Sequence, residues 1–154
     1  MLRVGHMTEQ ASGQSLRVDT FLDSLLESAD TAEQLVLGVA AEMDFDPEDL
    51  HRLGIAVRES VVNAVVHGNR YNARKKVHLT VVSNQDRLTI TVADEGQGFD
   101  WTSLPDPVAP EHLLEQSGRG LFLVRAFVDE VEFRRLTPPG TQVKLVKYRK
   151  KMVA

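Results

Sequence analysis

The sequence predicts an α+β fold, a two-layer α/β sandwich whose mixed, mostly antiparallel sheet carries its helices on one face. Three observations lead there. Two segments with helical spacing of apolar residues lie in the first half, at 30–43 and 46–68. Two pairs of strand-like segments follow, 77–82 with 88–92 and 130–136 with 142–147. One more helix, Leu121 to about Asp129, separates the pairs. The order α-α-β-β-loop-α-β-β groups like elements together, so helices packed against one side of a sheet are expected.

Residues 1–14 carry Gly, Ser, Thr and Gln and read as a flexible N-terminal arm. Residues 15–148 form a single domain and 149–154 a basic C-terminal tail. Leu16 to Leu26 is rich enough in β-branched and apolar residues to be extended, though its alternation is poor. Asp30 with Glu33 makes a capping-box pattern for the first helix, which puts Ala32, Leu35, Val36, Val39, Ala40 and Met43 on one face. The second helix starts at Asp46 with Pro47 in its first turn and should end near Gly68. Ser83 to Asp86 is turn chemistry between two strands and predicts a hairpin. A glycine-containing turn, Asp94 to Gly98, ends the second of these strands. The stretch Trp101 to Gln116 holds Pro105, Pro107 and Pro110 and is too broken for a helix. Loops of that length in compact domains are functional or disordered. Thr137-Pro138-Pro139-Gly140 joins the last two strands.

With 154 residues, 42% of them hydrophobic and 26% charged, the chain suits one soluble domain with a substantial core. A net charge of −4 advertises no nucleic-acid surface. The local basic cluster Lys147, Arg149, Lys150, Lys151 reads as a solvated tail, with a phosphate or acidic-partner patch as the alternative. Without cysteine, disulfides, thiol nucleophiles and zinc–cysteine sites are excluded. The apolar runs fall far short of the roughly 20 residues that span a bilayer, and Met1 to Gly13 does not read as a signal peptide. A reducing, cytoplasmic setting with no membrane and no direct nucleic-acid partner is expected.

Three places carry chemistry. On the second helix Leu50, Leu53, Val57, Val61 and Ala64 make the core stripe, while Glu59 and Asn63 fall opposite it, one turn apart, among Ile55, Val62 and Val66. A carboxylate in partly apolar surroundings needs a partner. An amide oxygen is a hard ligand suited to magnesium, and a nearby carboxylate can accept a proton. A capped or salt-bridged pair on an ordinary helix accounts for the two residues as well. The second place, Asp94-Glu95-Gly96-Gln97-Gly98, ends an alternating strand with glycines that let backbone approach a planar ligand or a phosphate. A calcium loop of the EF-hand type lacks its spaced acidic ligands here. The third, Ser117-Gly118-Arg119-Gly120-Leu121, leads into a helix, where exposed N–H groups, the helix dipole and Arg119 favour an anion. No Walker motif occurs.

In order and spacing, Glu59-x-x-x-Asn63-Ala64-x-x-His67-Gly68, Asp94-x-Gly96-x-Gly98, Gly118-x-Gly120-Leu121 and Gly140-Thr141 resemble the motif boxes of the GHKL ATPases, the histidine-kinase-like ATPase or Bergerat fold. Leu104 to Pro107, Glu111 to Leu114, Ser117 to Leu123 and Asp129 to Phe133 look most like the anti-sigma-factor serine kinase branch, and the similarity runs over roughly 20–148. The resemblance implies ATP and Mg2+ as cofactors. It implies Glu59 as general base, Asn63 as magnesium ligand, and Asp94 as acceptor for the adenine amino group with Thr141 beside it. It implies Gly96 and Gly98 along the base and ribose, His67 within the nucleotide box, 100–117 as the ATP lid, and Ser117, Gly118, Arg119, Gly120 and Leu121 around the phosphates. It further implies a homodimer that holds a sigma factor and phosphorylates a serine of an anti-anti-sigma antagonist protein. An ATP-gated, non-catalytic partner-binding module is the alternative. A two-component histidine kinase would need a phospho-accepting histidine on a dimerisation helix pair, and residues 1–45 hold His6 alone.

Overall fold

The computed structural model describes residues 2–3, 8–10, 13–97, 116–137 and 139–150. The expectations for Gly98, for the loop 101–115, for the side chains of Ser117 and Arg119 and for residues 151–154 lie outside it. Short strands β1 (Leu2–Arg3) and β2 (Thr8–Gln10) precede the long strand β3 (Gly13–Leu22). Helices α1 (Ser28–Ala40) and α2 (Pro47–Asn63) come next. The hairpin β4 (Val77–Ser83) and β5 (Arg87–Ala93) follows. Helix α3 (Gln116–Phe127) then leads to a second hairpin, β6 (Glu130–Leu136) and β7 (Gly140–Tyr148).

The sheet order is β1-β3-β4-β5-β7-β6, with β2 also paired to β3. Every ladder among the described residues is antiparallel, so the parallel component that a mixed sheet would include is not found there. Strand period 2 decides which face is covered. Val77, Leu79 and Val81 of β4 and Leu88, Ile90 and Val92 of β5 are buried. They meet Ala32, Val36 and Val39 of α1 and Leu53, Val57 and Val61 of α2 in one core. Each such side chain contributes about 1.5–3 kcal/mol by leaving water, more than an exposed ion pair supplies. Helix α2 lies between α1 and α3. Glu59 therefore stands half-buried at a seam between helices, with Gly120 of α3 against it.

Four expectations change. Helix α1 starts two residues before Asp30, and Glu27 at its N-cap makes no side-chain cap bond. Asp30 and Glu33 instead both pair with Arg58 of α2, the latter at 2.9 Å, and so lock the two helices together. Helix α3 starts at Gln116, which places Ser117 to Gly120 inside its first turns and not ahead of it. Part of the expected loose arm is strand, since Leu2–Arg3 and Thr8–Gln10 run antiparallel to β3. The basic tail is not simply solvated: Arg149 reaches Asp44, Lys150 pairs with Asp46, and Lys147 lies between Asp49 (3.8 Å) and Asp129 (3.5 Å). The attraction comes from the acidic start of α2, which a tail at the end of β7 reaches only in three dimensions.

Lys147 and Asp49 are largely buried, with side chains 15% and 13% exposed. Removing Lys147 leaves the buried Asp49 with only the exposed Lys150, at 3.5 Å, whereas replacing both members with apolar groups strands neither. Lys147→Met is expected to cost on the order of 2–4 kcal/mol in urea unfolding, and Lys147→Met with Asp49→Leu to recover most of it. A loss in the double variant equal to the sum of the losses in Lys147→Met and Asp49→Leu alone would show that the pair carries no coupling.

Candidate functional site

Helix α2 does not stop at Asn63. It widens into a π-helical turn, Ala64–Gly68, in which Asn69 N donates to Ala64 O at 2.7 Å. Single π turns inside helices often mark functional sites, because the extra residue re-aims the backbone. Here the turn brings Gly68 against Asp94. A Cβ on Gly68 would overlap the Asp94 carboxyl group. A Cβ on Gly96 would overlap the carbonyl of Gly68, and one on Gly140 the carbonyl of Asp94. None of the three adopts a left-handed backbone, so lack of space is what demands glycine.

Asp94 continues the register of β5 past Ala93 and falls opposite Thr141 of β7. Asp94 N donates to Thr141 O at 2.9 Å, and Thr141 N donates back to Asp94 Oδ1 at 3.2 Å. Gly96 N donates to the same Oδ1 at 3.0 Å. The residue is 4% exposed. Burial pushes its carboxyl above the usual carboxylate range, opposed by the N–H groups of Gly96 and Thr141 and by the charge of Lys75. Beside it, the Thr141 hydroxyl is buried with no hydrogen-bond partner. Two polar groups thus stand in apolar surroundings with bonding capacity in reserve, at a cost to the fold that only a ligand or water offsets.

They line a narrow cleft, with a free volume of about 20 Å³, between β5, β7 and β6 and the helices α2 and α3. Its walls are Ser60, Asn63 and Ala64 of α2 and its π turn, Val92 and Asp94, Leu121 and Val124 of α3, and Phe133, Thr141 and Val143. An apolar slot with a few aimed polar groups is the usual form of a small-molecule site. Of the residues singled out in the sequence, Asn63, Asp94, Leu121 and Thr141 come together here. Gly96 braces Asp94 from behind. Glu59 and His67 are not among the cleft's walls; His67 is exposed, and Glu59 Oε2 lies 2.5 Å from where a Gly120 Cβ would be. The backbone of Ser117, Gly118 and Arg119 forms the amino end of α3. Among the described residues no group of three or more His, Asp or Glu is placed to hold a metal. A metal at this site would draw on the Asn63 amide oxygen and the oxygens of a ligand.

Sequence reasoning passed over Ser60, Val92, Val124, Phe133 and Val143. Period alone could have found some of them. Ser60 precedes Asn63 by three on the helix, and Val92 and Val143 are each two residues from a polar wall residue on the same strand face.

Residues 22–147 match the family model of the histidine kinase-like ATPase domain. Proteins called anti-sigma F factor from Bacillus thuringiensis (strain Al Hakam) and Bacillus mycoides (strain KBAB4) are each 33% identical over 129 residues, covering 81% of this chain and 87% of theirs. The fold is like that of the RsbU and RsbW domains of Rv1364c from Mycobacterium tuberculosis, with a TM-score of 0.62 and 21% identity over 88% of this chain and 33% of that longer one. The chain belongs to the histidine kinase-like ATPase domain family, alongside relatives named anti-sigma F factors.

Proposed function

We propose that this protein is an ATP-binding anti-sigma factor and serine protein kinase, acting on an anti-anti-sigma antagonist in a bacterial partner-switching pathway. The observation that carries the nucleotide reading is the Asp94 cleft: a desolvated carboxylate and an unpartnered Thr141 hydroxyl in an apolar slot, crowded by glycines. Both polar groups suit the edge of an adenine ring, with Asp94 accepting from its amino group. The glycines leave no room for side chains that would fill the slot. The relatives named anti-sigma F factor support a sigma factor as one partner. A cytoplasmic homodimer fits this reading.

In the phosphotransfer step the serine hydroxyl oxygen of the antagonist attacks the γ-phosphorus of ATP. A new O–P bond forms, the bond from the γ-phosphorus to the β,γ-bridging oxygen breaks, and ADP leaves with that electron pair. Glu59 takes the hydroxyl proton. Asn63 would hold magnesium through its amide oxygen, and the ion would supply charge neutralisation when bound. The amino end of α3 offers backbone N–H groups and a positive dipole end to the phosphates. One observation favours the non-catalytic, ATP-gated reading: Glu59 stands outside the cleft walls, against Gly120.

Glu59→Gln separates the two, because it keeps the side-chain volume at Gly120 and removes the base. Phosphate transfer from labelled ATP to an antagonist serine is expected to fall by about 10²–10⁴-fold, with ATP affinity within a few-fold of the parent. Transfer at the parental rate would remove Glu59 from the mechanism. Loss of ATP affinity in step with transfer would assign it to binding.

Asp94 sets the pH dependence. Its folded pKa is raised, so folding favours the protonated acid relative to the unfolded chain. The stability this contributes is full below the ordinary carboxylate pKa and is lost as pH rises through the raised one. At neutral pH the ionised group therefore opposes folding. Adenine binding works in the opposite direction, since it needs the carboxylate, and affinity is expected to weaken as pH falls through the raised pKa. Asp94→Asn should raise the melting temperature of the ligand-free protein while lowering ADP affinity by about 5–150-fold, the equivalent of about 1–3 kcal/mol. Thermal melts and calorimetry on one preparation check both. A variant that melts lower yet binds as tightly would contradict the assignment on both counts.

A further inference from the structure

Asn69 follows Gly68 directly, is 2% exposed, and belongs to no motif considered so far. Its amide joins three separate segments. Nδ2 donates to Ser24 Oγ in the β3–α1 connection and to the Lys76 carbonyl ahead of β4, each at 3.0 Å. Oδ1 accepts from Glu95 N at 2.8 Å, one residue past Asp94. Each partner is tied again: Ser24 Oγ donates to Lys75 O at 2.5 Å, and Lys76 N donates to Glu95 Oε2 at 2.5 Å. The network closes a ring behind the Asp94–Gly96 turn. Both amide protons are used and the oxygen is used, so a residue lacking the amide leaves buried groups unpaired.

The reading of Asp94 depends on where that turn stands. Gly96 N and the Asp94 carboxylate meet through a tight local bond, and Gly68 lies close enough to exclude any Cβ. Gly68 and Asn69 are consecutive, so one short stretch both crowds the carboxylate and holds the peptide that follows it. We propose that Asn69 is a positioning residue for nucleotide recognition, its side-chain oxygen fixing the Asp94–Glu95 peptide so that the carboxylate faces the adenine edge. This rests on the nucleotide reading above. Asn69 itself is not among the cleft walls and acts through Asp94.

The three bonds can be separated. Asn69→Ala removes all of them. Asn69→Asp keeps the oxygen that accepts from Glu95 N and removes both donors. Ser24→Ala removes one partner of the amide and leaves the Glu95 bond alone. For each variant, and for the parent and Asp94→Asn, magnesium-ADP affinity is measured by calorimetry beside a thermal melt. Positioning predicts that Asn69→Ala loses about 10-fold or more in affinity while still folded at the assay temperature. Asn69→Asp rescues affinity to within about 3-fold of the parent despite a lowered melting temperature, and Ser24→Ala loses stability with little change in affinity. A merely structural role would make affinity follow the melting temperature through all three variants, and that result overturns the proposal. So does parental affinity in Asn69→Ala. Should Asn69→Ala not fold, the outcome rests on Asn69→Asp, whose loss of affinity would equally overturn it. Failure of the parent to bind, or indifference to Asp94→Asn, would defeat the nucleotide reading itself. Failure confined to the Asn69 variants defeats the positioning role alone.

Discussion

A single desolvated carboxylate organises this molecule. Asp94 sits where β5 ends, with almost no contact with water, and its one oxygen Oδ1 accepts from Gly96 N and Thr141 N. Burying it requires backbone, not side chains, to come within reach. That requirement selects Gly68, Gly96 and Gly140, from three distant parts of the chain, at the places where a Cβ would overlap Asp94 or its neighbours. The end of α2, the turn after β5 and the start of β7 are thereby fixed against one another. An aspartate held so closely has few positions available to it, which is the condition for reading a ligand edge.

Helix α2 transmits this constraint. Its carboxyl end is anchored by the π turn that delivers Gly68 to Asp94. Its amino end is tied to the far end of β7 through Lys147 and Asp49, with Lys150 on Asp46. Along its length Arg58 holds Asp30 and Glu33 of α1, and Gly54 lets Glu33 approach to 3.0 Å from where a Cβ would be. Exposed pairs of this kind contribute about 0–1 kcal/mol each. Their effect on the site is geometric: they define the rotation of α2, and so the direction in which Glu59 and Asn63 project in its last turn.

The two hairpins, the three helices and most of the cleft's polar residues were legible, because period 2 and period 3.6 report burial directly, whereas the short strands β1 and β2 were not. What sequence could not show was competition between partners. Asp30 and Glu33 have the spacing of a capping box, yet Arg58, far along the chain, offers a full opposite charge and takes both. The basic tail reads as solvated until the acidic start of α2 is known to lie beside it. Gly68 reads as a helix stop, and it does end the helical segment, but the demand for glycine comes from Asp94. Asn69 was hidden for the opposite reason: Asn-Arg-Tyr-Asn after a helix is ordinary turn chemistry, and only the fold brings Ser24, Lys76 and Glu95 to its amide. The apolar residues around Glu59 and Asn63 belong to a side that is half-buried. That α3 covers it, with Gly120 against Glu59, needed the structure.

Away from the cleft, period and packing mostly agree: β-branched strands are buried on their helix side, and most charges on α2 find opposite charges. Around the cleft the rules are broken together. A carboxylate lacks water, a threonine hydroxyl lacks a partner, a helix is over-wide by a residue, and three glycines stand where backbone approaches too closely for any Cβ. Each departure weakens the fold by itself, and scattered they would read as imperfections. Concentrated on one slot they have a common explanation, since together they hold unused bonding capacity aimed into one apolar cleft. The same desolvation that makes ionised Asp94 unfavourable for folding strengthens whatever hydrogen bond it accepts from that ligand. Stability forgone in the empty protein and affinity gained on binding are therefore two measures of one interaction. A change that improves the first by making position 94 neutral must weaken the second.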